Sequence, residues 1–279
     1  MNNIRIITDS AADLTAEELD RLGVECVPMT VAFGSEEYTP GVDLTNERFY
    51  ELLCASESFP TTAQPAPAAF EERFLKAREE GCEVVAILIS SALSGTWQSA
   101  RIAAQGMEGV YVVDSLTVTA GQKLLIERAA ALRDEGRSAA EIALAIESLK
   151  GRVRIYVGVE SLEYLYKGGR LSKAAAGIGT VAGIKPVITI NQRGEVAVQG
   201  KCIGKHRAMD RIAKAVEETE REDAPVRVLY TAGTGNAEEL AGRLKKAGVP
   251  IEEEFMLVGS TVGAHAGPNA YAVAFFAKK

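Results

Sequence analysis

The sequence has no excess of positive charge and no long apolar run. The formal net charge is −7 at pH 7, so local basic patches aside, no chain-wide positive field attracts nucleic acid or anionic lipid surfaces. No apolar segment approaches the roughly 20 residues of a transmembrane helix. The chain runs from Met1 straight into a strand-like stretch, without the basic and apolar regions of a signal peptide. We therefore expect a cytoplasmic protein with no nucleic-acid partner and no stable membrane insertion.

Cysteine is also scarce, and its spacing excludes the common metal motifs. The four cysteines are scattered through the chain without the paired spacing of metal ligands, which predicts reduced thiols, no metal site and no cofactor. They are Cys26, Cys54, Cys82 and Cys202. The run 174–179 consists of small residues but follows no strand, so it does not match a dinucleotide-binding loop.

Hydrophobic residues make up 47% of the chain and charged residues 25%, which is typical of a globular protein. In the first 150 residues, strand-like runs alternate with helical patterns. The runs are residues 4–8, 24–31, 84–89 and 110–113. Thr15 with Glu18, and Ser138 with Glu141, form capping-box patterns at helix starts. This alternation predicts a three-layer α/β domain with a parallel sheet over residues 1–150.

The second half has a different pattern. Residues 187–190 and 196–201 flank a turn at 191–194, which predicts a β-hairpin. Further strands are expected at 154–159, 226–231, 251–258 and 272–276, with Asn236 as the cap of a helix. A hairpin beside βα units predicts a mixed sheet, and hence a second α/β domain over residues 151–279.

Small polar residues follow several predicted strands, at the carboxyl ends where open α/β sheets bind their ligands. For Thr8, Asp9, Ser10 and Asp114 we favour the simpler interpretation that they cap helices. The turn formed by Ser94, Gly95 and Thr96 opens a helix and suits an anion. Thr61 and Thr62 precede another helix and are expected in a loop. Several hydroxyls could therefore converge on one crevice.

Two glycine-containing segments are the other candidates. His265 lies between Gly263 and Gly267 in a segment expected to be a loop between strands, where the glycines let the backbone turn tightly and approach a ligand closely. His265 binds a ligand there or is a hydrogen-bonded structural residue. Gly168 and Gly169 end a predicted helix, and Arg170 begins the next segment. The simpler interpretation of this stretch is a packed helix–turn–helix unit with charged residues on its surface. His206 is expected on the surface and Trp97 in helix packing.

Taken together, these stretches resemble the DegV family, the fatty-acid-binding subunits of bacterial fatty acid kinase systems. The matching stretches are residues 8–10, 61–65, 90–96, 162–170, 185–186 and 263–268. The resemblance implies two α/β domains and a buried long-chain fatty acid. It implies that Thr62 and Ser94 hold the carboxylate, with Thr61 and His265 nearby.

The resemblance also implies a partner. A separate ATP-dependent kinase would phosphorylate the carboxylate that this chain presents, and no catalysis is expected from the chain alone. Arg170 matches a family arginine linked to that step or to docking. Ala63 and Asn269 depart from the residues common in the family. Residues 201–207 also differ from the usual basic pattern of the family. This leaves open which of Lys201, Lys205 and Arg207 contacts the kinase or an acyl phosphate.

Two other functions are consistent with the residues alone. The first is a serine hydrolase with Ser94 as nucleophile and His265 as base, oriented by Asp9 or Asp114. The nucleophile-elbow pattern Gly-x-Ser-x-Gly is absent around Ser94, which weighs against it. The second is a regulator that binds a small anion, a sugar or a phosphate, at the turn of residues 94–96.

Overall fold

The computed structural model describes residues 3–172, 174 and 183–279. Its first sheet has four parallel strands in the order β2-β1-β6-β7. These are β1 (Ile4–Asp9), β2 (Val24–Val27), β6 (Glu83–Leu88) and β7 (Val110–Asp114). The residues of β6 after Glu83 are fully buried apolar side chains, because helices cover both faces of a parallel sheet.

Helices form the outer two layers around this sheet, as predicted. One face packs against α3 (Pro67–Glu79) and α4 (Thr96–Ala103) in a buried cluster that includes Phe70, Phe74 and Ala100. The other face packs against α5 (Ala120–Asp134) and α6 (Ala139–Leu149). The predicted capping boxes begin α1 (Ala16–Leu22) and α6. The three-layer arrangement in this half is therefore confirmed.

The second large sheet is mixed, as predicted, with the order β10-β9-β8-β13-β11-β12. Only β11 and β12 pair in parallel. The strands are β8 (Val153–Gly158), β9 (Ile184–Ile190), β10 (Val196–Ile203), β11 (Arg227–Tyr230), β12 (Met256–Leu257) and β13 (Tyr271–Phe276). The helices α8 (Lys205–Glu218) and α9 (Gly235–Lys246) cover one face.

The uncovered face of the mixed sheet turns toward the first half of the chain. Ile155, Leu229 and Ala274 belong to the same buried cluster as Ile87 and Leu125. Burial of this shared apolar surface stabilises the contact between the two halves. The last strand of the parallel sheet ends at Asp114, and the first strand of the mixed sheet begins at Val153. The domain division at residue 150 stays a prediction.

A small third sheet was not predicted. It pairs β3 (Thr30–Phe33) with β4 (Glu36–Tyr38) on one side and β5 (Thr61–Ala63) on the other. Residues 24–31 are therefore two strands in different sheets. The break contains Pro28, which has no N–H to donate to a ladder. The expectation of a loop at Thr61 and Thr62 was wrong, because their backbone pairs with β3.

Three predictions in the second half were also wrong. Asn236 does not cap α9; its side-chain amide donates to the carbonyl of Asn269 at 2.8 Å. The strand expected at 251–258 shrinks to the two residues of β12, since three successive glutamates precede it. His265 lies not in a loop but on α10 (Ser260–Ala266). The run 174–179, apart from residue 174, lies outside the described residues.

The remaining helices are α2 (Asn46–Ala55) and α7 (Glu163–Lys167). Helix α2 packs directly on α10, and Gly263 makes this approach possible. A Cβ on Gly263 would lie 2.6 Å from the hydroxyl oxygen of Tyr50 and 2.8 Å from a ring carbon of Phe49. Gly263 is thus needed for close helix packing, not for the tight turn that the sequence suggested.

Replacing Gly263 by alanine should therefore destabilise the protein. We expect a loss of about 1–3 kcal/mol in the free energy of unfolding, because the added methyl group overpacks the contact between α2 and α10. The matched control is Gly242→Ala in the middle of α9, where no neighbouring atom lies within 4 Å of the added Cβ. That variant should gain up to about 1 kcal/mol from helix propensity. Urea denaturation measures both, and equal effects would contradict the packing role of Gly263.

Candidate functional site

A cavity of about 870 Å³, part of it open to solvent, lies between the parallel and mixed sheets. Alternate residues of the mixed sheet form one wall, among them Val157, Ile188 and Ala272. They share a face because successive side chains of a strand point to opposite sides. Ile89 and Val118, which follow strands of the parallel sheet, form part of the other wall. The predominantly apolar walls are typical of a small-molecule site.

Four of the five predicted site residues line this cavity. They are Thr62, Ser94, Arg170 and His265, which come from four separate segments of the chain. The fifth, Thr61, does not line it. Thr61 is exposed, because it precedes Thr62 on β5 and its side chain points to the opposite face of that strand.

His265 forms the most specific contact among them. Its Nε2 lies 2.9 Å from the hydroxyl oxygen of Thr62. Its Nδ1 is buried, has no hydrogen-bond partner among the described residues, and faces Gly168, where any Cβ would overlap it. Burial, together with the nearby Arg170, lowers the pKa of His265 to about 4. The imidazole is therefore neutral at neutral pH. When the ring N–H donates to Thr62, the Thr62 hydroxyl hydrogen is left to donate to a ligand.

Ser94 is held by the turn that opens α4. Its hydroxyl oxygen lies 2.8 Å from that of Thr96 and accepts a hydrogen bond from the Thr96 backbone N–H at 3.3 Å. The Gln64 side chain packs against Gly95 so closely that a Cβ at this position would displace it. The Gln64 amide in turn donates to Ser99 at 3.1 Å. The segment containing Thr62 thus packs directly on the segment containing Ser94.

Arg170 follows α7 and reaches across to the turn of Ser94. Its Nε donates to the carbonyl of Leu93 at 2.9 Å, and its Nη1 donates to the carbonyl of Gly168. No carboxylate of the described residues forms an ion pair with it. Burial lowers the pKa of this guanidinium, although an arginine stays protonated in proteins. The cavity wall therefore carries one cation whose counter-charge is not supplied by the described chain.

The proposed hydrolase triad is not assembled among the described residues. Ser94 is hydrogen-bonded to Thr96, whereas the imidazole contacts Thr62. Asp9 accepts from the N–H groups of Ala11 and Ile89, and Asp114 from those of Ser91 and Leu116. Neither carboxylate bonds to His265, so nothing orients the imidazole as a base.

Three of the four residues interpreted as helix caps behave otherwise. One is Asp114, since the next described helix, α5, begins at Ala120 and has Thr119 as its N-cap. Asp9 does cap the short 3₁₀-helix Ser10–Ala12. Thr8, by contrast, donates to the carbonyl of Ile87 inside the parallel sheet. Ser10 lies 3.0 Å from the hydroxyl of Thr261 and accepts from the N–H of Met29. It therefore ties the end of β1 to α10, the helix that carries His265.

Three further threonines of the cavity wall were not singled out from sequence: Thr119, Thr231 and Thr261. Thr261 belongs to the glycine-flanked segment but carried no signal of its own. Thr119 has a positive φ of 49°, which its sequence context did not indicate. Lys201, Lys205 and Arg207 do not line the cavity; Lys205 instead forms an ion pair with Glu239.

No helix within residues 3–172 and 183–279 combines the length and apolar composition that a bilayer crossing requires. In the same part of the chain, no cluster of three or more His, Cys, Asp or Glu side chains could hold a metal ion.

The chain is similar over nearly its whole length to proteins of one family. A family model described as "Uncharacterised protein, DegV family" matches residues 3–278. A DegV domain-containing protein of Deinococcus radiodurans is 36% identical over 275 residues, which is 98% of each chain. Among solved structures, the chain is similar to a fatty-acid-binding DegV family protein from Thermus thermophilus. The two chains are 31% identical with a TM-score of 0.87, and the match covers 99% of this chain and 100% of the other. A stearic-acid-binding protein from Eubacterium ventriosum has 26% identity and a TM-score of 0.87, covering 98% of each.

Proposed function

This chain belongs to the DegV family, and from that premise we propose that it binds a long-chain fatty acid in the cavity between its two large sheets. One observation carries the proposal. A largely apolar cavity is bordered by uncharged polar side chains, among them those of Thr62, Ser94 and His265. Relatives that bind fatty acids support it, including the Thermus protein at 31% identity.

The energetics favour an amphipathic acid over a small anion. Each buried CH₂ contributes about 0.8 kcal/mol, so a long acyl tail contributes on the order of 10 kcal/mol. A carboxylate without partners would cost several kcal/mol to bury. Hydroxyl donors such as those of Thr62 and Ser94 offset this cost, at about 1.5–3 kcal/mol per charge-assisted bond. A phosphate or sugar would leave the apolar walls without a partner, which disfavours the small-anion regulator.

The head group is assigned to the polar end of the cavity. In this proposal Thr62 and Ser94 donate to the carboxylate, and the neutral His265 fixes the orientation of the Thr62 hydroxyl. Thr61 faces away from the cavity, so we assign it no contact with the ligand. The guanidinium of Arg170 lies in the same wall and faces no acidic partner among the described residues.

Removing the Thr62 hydroxyl tests the head-group assignment. Thr62→Val keeps the shape of the side chain, and we expect fatty acid affinity to fall about tenfold because one charge-assisted hydrogen bond is lost. Thr61→Val is the matched control on the same strand and should leave affinity unchanged. Titration calorimetry of delipidated protein with palmitate measures both. Equal affinities for the two variants would refute the assignment of Thr62.

We further propose that the bound acid is presented to a separate ATP-dependent kinase, which phosphorylates the carboxylate. Arg170 would stabilise the charge that develops in phosphoryl transfer or would dock the partner, and no catalysis is assigned to this chain alone. The proposal is supported by family membership and by the Arg170 guanidinium in the cavity wall, which forms no ion pair with a carboxylate of the described residues. The basic residues Lys201, Lys205 and Arg207 lie outside the cavity and remain candidates for contact with the kinase.

The kinase proposal predicts that binding and turnover separate in Arg170→Ala. Fatty acid affinity should fall less than about tenfold, because the tail supplies most of it. Formation of acyl phosphate with ATP and a bacterial fatty acid kinase catalytic subunit should fall at least about tenfold, since such arginines stabilise phosphoryl-transfer transition states. The control is Arg137→Ala, because Arg137 is exposed and lies just before the N-cap of α6. This variant should change neither quantity. Loss of the fatty acid itself from Arg170→Ala would contradict the assignment to the kinase step.

A further inference from the structure

The mixed sheet divides the cavity wall into successive rungs of side chains. Val157 on β8 lies opposite Ile188 on β9 and opposite Ala272 on β13. Two residues back along β8, Ile155 faces the same side, and on the neighbouring strands Ile190 pairs with Val196. All of these side chains line the cavity. Rungs two residues apart are separated by roughly 7 Å.

The head-group residues identify one end of these rungs. Helix α10, which carries His265, is followed shortly by β13, and the first residue of β13, Tyr271, lies opposite Gly158 at the carboxyl end of β8. The polar end of the cavity therefore lies by Gly158. Moving from Gly158 through Val157 to Ile155 leads away from His265. The rung of Ile155 and Ile190 is thus far from the head-group site.

A second cavity lies behind this rung. It is small and partly open to solvent, and Ile155 and Ile190 line it as well as the main cavity. Its other walls include Val153, which is the next inward residue of β8, and polar groups such as Lys150 and Gln192. Two isoleucine side chains therefore separate a large apolar cavity from a smaller one with more polar walls.

The partition is held rigidly. The hydroxyl of Thr189 donates to the carbonyl of Ile155 at 2.7 Å, which fixes β8 against β9. Helix α5 packs on the Ile155 side chain so closely that a Cβ on Gly121 would lie 2.8 Å from its Cδ1. The β9–β10 turn is fastened to the parallel half by a 2.8 Å hydrogen bond from Ser90 to the carbonyl of Gly194. The strands that carry the wall are thus fixed, and α5 holds the Ile155 side chain in place, so the wall yields little to a ligand.

We propose that Ile155 and Ile190 form the end wall that limits the length of the acyl chain this protein accepts. This inference rests on the proposed fatty acid binding. The methyl end of the tail stops at these side chains, and longer acids fit poorly because the space beyond the wall is blocked. Removing the wall joins the two cavities and gives the additional methylene groups of a longer chain a place to lie.

The test compares Ile155→Ala with wild-type protein over a series of saturated acids, from myristate through palmitate and stearate to behenate. Each acid competes with a fluorescent fatty acid on delipidated protein. We expect the ratio of behenate to palmitate affinity to rise at least about tenfold in the variant, because methylene groups excluded before are now buried. Ile188→Ala is the matched control. It enlarges the main cavity near the middle without reaching the second one, so its ratio should stay near the wild-type value.

The outcomes separate the two proposals. If wild-type protein binds no acid of the series, fatty acid binding itself is refuted. If it binds but Ile155→Ala leaves the ratio unchanged, or Ile188→Ala raises it equally, the end wall is refuted. Should circular dichroism show that Ile155→Ala is unfolded, Ile155→Val and Ile190→Val take its place. Each removes one methyl group from the wall and should shift the ratio in the same direction by a smaller factor, and no shift would overturn the proposal.

Discussion

The hydrogen bond between Thr62 and His265 holds the polar end of the cavity together across 203 residues of sequence. It joins β5 of the small third sheet to α10, which is itself tied to β1 through Ser10 and Thr261. Because burial keeps the imidazole neutral, the pair offers hydrogen bonds without a full charge. A neutral pair of this kind suits the acid head group proposed for this site, and the walls beyond it are largely apolar.

The sheets explain why such a cavity can exist inside a packed protein. Each large sheet has one face directed at the other half of the chain, and their buried side chains form one continuous cluster. The cavity opens where the carboxyl ends of the parallel strands meet the inward face of the mixed sheet, which is where open α/β sheets bind ligands. Strands of the mixed sheet form one wall of the cavity, and Thr62, Ser94 and His265 reach it from β5, from the turn before α4 and from α10.

Much of this architecture could be predicted from sequence, because its signals are local. The capping boxes at Thr15 and Ser138 and the turn at residues 191–194 depend on neighbouring residues alone. The errors arose where distant contacts decide. Gly263 resembled a turn residue, yet it makes room for Tyr50. The sequence does not distinguish Thr61 from Thr62. Only the pairing of β5 with β3 directs the Thr62 side chain toward the cavity and the Thr61 side chain away from it. The end wall at Ile155 has no sequence signal, because it depends on which strands are neighbours.

A crystal structure of the protein with the fatty acid it retains from cells tests the central claim most directly. The account predicts a carboxylate within hydrogen-bond distance of the Thr62 and Ser94 hydroxyls, and a tail that runs along Val157 toward Ile155. A fatty acid bound elsewhere, or in this cavity with its carboxylate pointing away from His265, would contradict it.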